Sequence, residues 1–151
     1  MRALIVEDDA NKMKALSDFL REYSVVDIVT KMSYHSSILI LLKEPFDLVL
    51  LDMTIPLYDI TPSDTGGRPL PLGGRDILFT ISRKKIQTKV IVVTQYESFE
   101  GTSLSQLDHD LQNSFSNLYC GSVYYNTTQN LWKEQLNKIL EEHFKFEGGS
   151  L

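Results

Sequence analysis

The sequence predicts an α/β fold in which helices cover both faces of one five-stranded parallel sheet. Short apolar runs that end in an acid or a hydroxyl are the first observation: Arg2–Val6 before Glu7, Asp47–Leu51 before Asp52 and Lys89–Val93 before Thr94. Continuous apolar runs of this length are typical of parallel strands that are buried on both faces. The second observation is that helical stripes alternate with these runs, which favours right-handed crossovers between strands.

The first helix is predicted from a cap and an apolar stripe. Asn11 is a suitable N-cap, because its side chain can accept a hydrogen bond from the first turn. The helix then runs to about Tyr23, with Met13, Leu16 and Leu20 on one face.

Two further elements precede the third strand. Val25–Thr30 is short and rich in β-branched residues, which favours strand 2. Ser36–Lys43 predicts a second helix, and Pro45 ends it because proline restricts the residue before it and lacks an N–H.

A long segment without a standard element follows Asp52. Residues 57–73 read LYDITPSDTGGRPLPLG, and with Pro56 they hold four of the five prolines. A loop this long in a compact domain is either functional or disordered. Because it follows Asp52 directly, we expect an inserted loop that covers the site or binds a partner.

The second half of the chain predicts three helices and two strands. Ser103 and Gln106 form a capping-box pattern at the start of a helix within residues 95–120. Trp132 is expected in the partial core of the last helix, and Leu131 on its inward face. The other predicted elements are helix 3 at Asp76–Lys85, strand 4 at Lys89–Val93, strand 5 at Ser122–Tyr125 and helix 5 at Gln129–Phe144.

Composition limits the functions that the chain can have. The 151 residues suit one domain, predicted at 1–145 with the inserted loop at 57–73, and 146–151 reads as a frayed tail or the start of a linker. A net charge of −5 disfavours direct binding to nucleic acid or an anionic membrane. No apolar run approaches the roughly 20 residues that span a bilayer, and we expect a cytoplasmic protein.

The acids at the strand ends predict a binding site. In a flavodoxin-like strand order, 2-1-3-4-5, ligands bind at the switch between strands 1 and 3, where Glu7, Asp8 and Asp52 lie. Carboxylates that converge there repel one another unless a hard cation such as Mg²⁺ lies between them.

These residues resemble a known family, the response-regulator receiver domains that two-component signalling systems phosphorylate on aspartate. The resemblance rests on Glu7-Asp8 after strand 1, on Asp52 with Pro56 four residues later, and on Thr94 after strand 4. It covers essentially the whole chain, including Gly121 before the last strand and the amphipathic closing helix.

The resemblance implies a role for each residue of the site. Asp52 would accept a phosphoryl group, and Thr94 would hydrogen-bond one of the phosphoryl oxygens. Asp8, with Glu7 directly or through water, would hold Mg²⁺ together with Asp52 and the backbone carbonyl of Thr54.

The sequence departs from the family pattern after strand 5. Receivers carry a lysine there, but residues 124–128 read YYNTT. Asn126 is the best match to the lysine position, and Thr127 or Thr128 remains an alternative. Lys84 and Lys85 end helix 3 and Lys133 lies inside helix 5, so none of them is an obvious substitute. An uncharged partner at this position predicts weaker coupling between phosphorylation and a change of shape.

The resemblance predicts a signalling receiver rather than an ordinary enzyme. A histidine kinase or phosphotransfer protein would phosphorylate it, and it would contact a downstream effector protein or form a homodimer through helix 4, strand 5 and helix 5. The alternative is a pseudo-receiver that binds partners without phosphorylation. A phosphatase is disfavoured because Thr54 stands where a second acid is expected, and a flavin carrier because acids would repel the flavin phosphate.

Overall fold

Five parallel strands form one sheet in the order β2-β1-β3-β4-β5, which confirms the predicted topology. The computed structural model describes residues 1–63, 66–67, 69–128 and 130–144, without the side chain of residue 69. The strands are β1 Arg2–Val6, β2 Asp27–Lys31, β3 Leu48–Leu51, β4 Lys89–Thr94 and β5 Tyr119–Tyr124. The helices are α1 Ala10–Glu22, α2 Tyr34–Lys43, α3 Gly73–Arg83, α4 Leu104–Ser114 and α5 Leu131–His143.

The core lies on both faces of the sheet. Alternate residues of β1 point to opposite sides, so that Leu4 packs towards α2, α3 and α4 while Ile5 packs towards α1 and α5. All four residues of β3 are completely buried, because helices cover both of its faces. This double burial explains why the central strands read as continuous apolar runs.

Several element boundaries differ from those predicted. Asp9, and not Asn11, caps α1, because its carboxylate accepts from the backbone N–H groups of Asn11 and Lys12. Strand β2 begins at Asp27, two residues after the predicted start. Strand β5 begins at Tyr119 and includes Gly121, which was expected to precede it.

The position of Gly121 and the inward face of α5 also differ from the prediction, and both differences have a clear physical reason. Gly121 has a φ of 148° where the pairing between β4 and β5 shifts register, an irregularity that glycine accommodates. In α5 the inward face is rotated from the predicted one, so that Trp132 is 4% exposed and Leu131 is 53% exposed. The rings of Tyr125 and Phe19 pack against Trp132 and draw it into the core.

Backbone hydrogen bonds hold the described part of segment 57–73 in place. Ile55–Pro56 pairs antiparallel with Pro69–Leu70, and the Tyr58 N–H donates to the Gly66 carbonyl at 2.9 Å. The exposed side chains of Tyr58, Asp59 and Ile60 lie at its surface. Residues 64, 65 and 68, the predicted tail at 146–151 and the predicted start of helix 5 at residue 129 lie outside the described residues.

The helices of the fold give no sign of a membrane-spanning segment. Among the residues that the structure describes, no helix is both long enough and apolar enough to cross a bilayer.

Candidate functional site

The carboxyl ends of β1, β3 and β4 bring the predicted acids to one edge of the sheet. The residues at these ends are Glu7 and Asp8 after β1, Asp52 after β3 and Thr94 at the end of β4. The backbone N–H of Asp52 donates to the Val6 carbonyl at 3.0 Å, which holds Asp52 beside the end of β1. One carboxylate oxygen from each of Glu7, Asp8 and Asp52 lies within 4.8 Å of the other two.

A lysine from α1 also lies among these acids. The Lys12 side chain is only 1% exposed, and its Nζ lies 2.5 Å from Glu7 Oε1 and 3.3 Å from Asp52 Oδ2. The same Nζ donates to the Val93 carbonyl at 2.7 Å. Two carboxylates and one carbonyl surround the ammonium, and these contacts make the burial of its charge tolerable.

Burial raises the pKa of the two innermost carboxyl groups. Burial, with a contribution from the nearby charge of Asp52, raises the pKa of Glu7 to about 8 against the opposing Lys12 ammonium. Burial also raises the pKa of Asp52, while Lys12 and the Met53 N–H oppose the rise. That N–H donates to Asp52 Oδ1 at 2.7 Å. Ionising Glu7 in the metal-free site is therefore unfavourable.

The charges and donor atoms of this cluster fit a divalent cation. Three carboxylates and one ammonium have a net charge of −2 when all four groups are ionised. Mg²⁺ prefers oxygen ligands, and the carboxylates of this cluster supply them. A cation at Glu7, Asp8 and Asp52 would also relieve the repulsion that raises the pKa of Glu7.

The two predicted threonines lie in different surroundings. Thr94 is completely buried, and its Oγ1 accepts from the Tyr96 N–H at 3.2 Å. Its own hydroxyl hydrogen has no acceptor among the described contacts. Thr54 is half-buried, and its hydroxyl donates to the Pro71 carbonyl at 2.9 Å, which ties the end of β3 to the segment before α3.

Asn126, which we predicted as the best match to the family's lysine position, turns back on its own loop. The Asn126 side-chain oxygen accepts from the backbone N–H of Thr128 at 2.9 Å and from its hydroxyl at 2.7 Å. No hydrogen bond joins Asn126 to Asp52 within the described part of the chain. Just before it, the ring of Tyr125 lies with its centroid 5.7 Å from the Lys12 ammonium.

Sequence reasoning missed Lys12, although a signal was available. Lys12 lies four residues before Leu16, and both Leu16 and Leu20 belong to the buried face of α1. A lysine on the inward face of a helix directly after an acid-rich strand end indicates a buried ion pair. The predicted face began at Met13 instead, which is only partly buried.

Comparison with known proteins gives two full-length relatives. The chain is 32% identical over 149 residues to the Detocs response regulatory protein DtcB of Enterobacter cloacae, a match that covers 94% of this chain and 99% of that protein. It is 29% identical over 141 residues to the uncharacterized protein y4jR of Sinorhizobium fredii, covering 88% and 92% of the two chains. No protein-family model matches the chain.

Solved structures of response regulators share the fold. The response regulator protein TrrA of Thermotoga maritima, in complex with Mg²⁺ and BeF, gives a TM-score of 0.58 at 24% identity, covering 92% of this chain and 98% of that one. A response regulator from Colwellia psychrerythraea gives a TM-score of 0.62 at 12% identity, covering 94% and 98%. At these identities the likeness concerns the fold alone.

Proposed function

Because this chain belongs to the response-regulator receiver family of two-component signalling, we propose that it is phosphorylated on Asp52 in a Mg²⁺-dependent reaction. The phosphoryl donor would be a histidine kinase or a phosphotransfer protein. Output would follow through contact with another protein.

One observation carries this proposal. Asp52 lies at the end of a buried strand, with two further carboxylates near enough to share one cation. Glu7, Asp8 and Asp52, with the carbonyl of Thr54, would hold Mg²⁺, which neutralises the carboxylate and the incoming phosphoryl oxygens. Lys12 alone does not balance three carboxylates, and Asp8 has no cationic partner among the described residues.

The surrounding residues prepare Asp52 for phosphoryl transfer. The Met53 N–H holds Oδ1 and so fixes the plane of the carboxylate. A carboxylate oxygen attacks phosphorus, the bond between phosphorus and the donor breaks, and the phosphoryl group remains on Asp52 as an acyl phosphate. Thr94 ends the adjacent strand, and its hydroxyl is a suitable donor to a phosphoryl oxygen.

The face formed by α4, β5 and α5 is the proposed output surface, either for an effector protein or for a second copy of the chain. Two hydroxyl groups of β5, from Tyr119 and Ser122, donate to the Asp108 carboxylate on α4. These bonds fix α4 on the sheet next to the strand that ends beside the site. A movement of β5 would therefore be coupled to α4 through Asp108.

Phosphorylation can be tested directly with acetyl phosphate. With Mg²⁺, intact-mass measurement should show one added phosphoryl group on the wild type and none on Asp52→Asn. The matched control is Asp18→Asn, which changes an exposed aspartate on α1 and should leave uptake unchanged.

The outcomes separate the two candidate functions. If the wild type gains no phosphoryl group and beryllofluoride causes no spectral change, the chain is a pseudo-receiver that acts without phosphorylation. Uptake by Asp52→Asn equal to that of the wild type would instead place the phosphorylated residue elsewhere.

A further inference from the structure

We propose that Lys12, in the first turn of α1, supplies the ammonium group that binds the phosphoryl group on Asp52. This inference rests on the proposed phosphorylation of Asp52. It assigns to a helix the positive charge that the family pattern places after strand 5, where this chain has Asn126.

The position of the ammonium is the first argument. Its nitrogen contacts Asp52 Oδ2 and also the carbonyl of Val93, the residue directly before Thr94. Because it also contacts Glu7 Oε1, the nitrogen lies among the ends of β1, β3 and β4, beside the carboxylate that would carry the phosphoryl group. The side chain crosses from α1 to this point, although its backbone is fixed at the helix N-terminus.

The end of β5 places an aromatic ring beside the Lys12 ammonium. The ring of Tyr125 lies 5.7 Å from the Lys12 ammonium, within the range of a cation–π contact. Asn126 is held by its two hydrogen bonds to Thr128. The strand end thus presents an aromatic face to Lys12.

The charge balance shows that Lys12 does not take the place of the metal ion. With Lys12 included, the cluster of Glu7, Asp8 and Asp52 still has a net charge of −2 when all four groups are ionised. One ammonium and one divalent cation together neutralise the three carboxylates. A phosphoryl group then brings further negative charge, and the Lys12 ammonium is a cationic donor that already contacts Asp52.

The test compares two substitutions on α1. Lys12→Met keeps the length of the side chain and removes its charge, and Lys14→Met does the same at a lysine that is 78% exposed. Each variant is incubated with acetyl phosphate and Mg²⁺, and phosphoryl uptake is followed by intact mass. Mg²⁺ binding is measured separately through the fluorescence of Trp132, whose ring packs on Tyr125.

We expect Lys12→Met to take up the phosphoryl group at least tenfold more slowly, while Lys14→Met behaves as the wild type does. Mg²⁺ binding to Lys12→Met should be retained or become tighter, because a positive charge has left the site. Unchanged uptake by Lys12→Met would overturn the inference. Parallel loss of uptake and of Mg²⁺ binding would also overturn it, because Lys12 would then only support the fold.

A second measurement uses the wild type alone and does not depend on how well Lys12→Met folds. The ¹⁵N resonance of the Lys12 ammonium, assigned by its loss in Lys12→Arg, should shift when beryllofluoride is added to the Mg²⁺ form. A resonance that stays unchanged while other signals show that beryllofluoride is bound would overturn the inference. A wild type that neither binds beryllofluoride nor gains a phosphoryl group would overturn the proposed function and this inference with it.

Discussion

Replacing Glu7 with glutamine should stabilise the metal-free protein at neutral pH and reduce the dependence of its stability on pH. Glu7 is 1% exposed, and burial together with the charge of Asp52 raises its pKa from an ordinary value of 4.5 to about 8. The neutral amide of glutamine resembles the protonated carboxyl group, so the substitution removes the cost of ionising this residue in the core.

The sign and the size of the effect follow from proton linkage. Between pH 4.5 and about pH 8 the unfolded chain loses the Glu7 proton while the folded protein retains it. The folded state then binds more protons, so the free energy of unfolding falls as the pH rises. Between about pH 5.5 and about pH 7.5 this single group should lower the free energy of unfolding by about 2 to 3 kcal/mol.

Urea unfolding in the presence of EDTA at these two pH values tests the prediction. The wild type should lose about 2 to 3 kcal/mol more than Glu7→Gln does over this interval. Glu22→Gln, at the exposed end of α1, is the matched control and should show the slope of the wild type. If Glu7→Gln has the same slope as the wild type, Glu7 is ionised in the metal-free protein and the reasoning is wrong.

Three other perturbations test the site and its support. Mg²⁺ should raise the melting temperature of the wild type and not that of Asp8→Ala, and equal shifts in both would contradict the proposed metal site. Gly74→Ala should destabilise the protein by about 1 to 3 kcal/mol in urea unfolding, because the added Cβ would lie 2.7 Å from the carbonyl oxygen of Asp52; an unchanged midpoint would mean that the backbone can yield there. Tyr119→Phe should cost about 1 to 3 kcal/mol, since it removes a buried hydroxyl that donates to Asp108, and a neutral result would show that this bond does not hold α4 in place.

The sequence predicted the sheet and the acids of the site because both depend on short-range patterns. A strand buried on both faces must be apolar along its whole length, as in β3. The residue that follows such a strand is Asp52, and its position at the sheet edge follows from topology alone. The cap of α4 was likewise predictable from the sequence, because Ser103 accepts a hydrogen bond from the N–H of Gln106 three residues later.

The predicted boundaries of the elements and the predicted inward faces of the helices were less accurate where packing overrides local preference. The capping residue of α1 is Asp9 rather than Asn11, a choice between two competent side chains that the path of the chain leaving β1 decides. Trp132 is buried because aromatic rings from β5 and α1 surround it, and these contacts are far apart in sequence.

The sequence by itself determined the fold, the family resemblance and the three acids at the strand ends. Only the tertiary structure revealed Lys12, whose ammonium donates to a carbonyl 81 residues away in the chain. The spacing of four residues between Lys12 and Leu16 places this lysine on the inward face of α1, but it does not identify the groups that the charge meets there. Burial becomes tolerable only when the folded chain brings two carboxylates and a carbonyl to one point, and no local pattern records such a meeting.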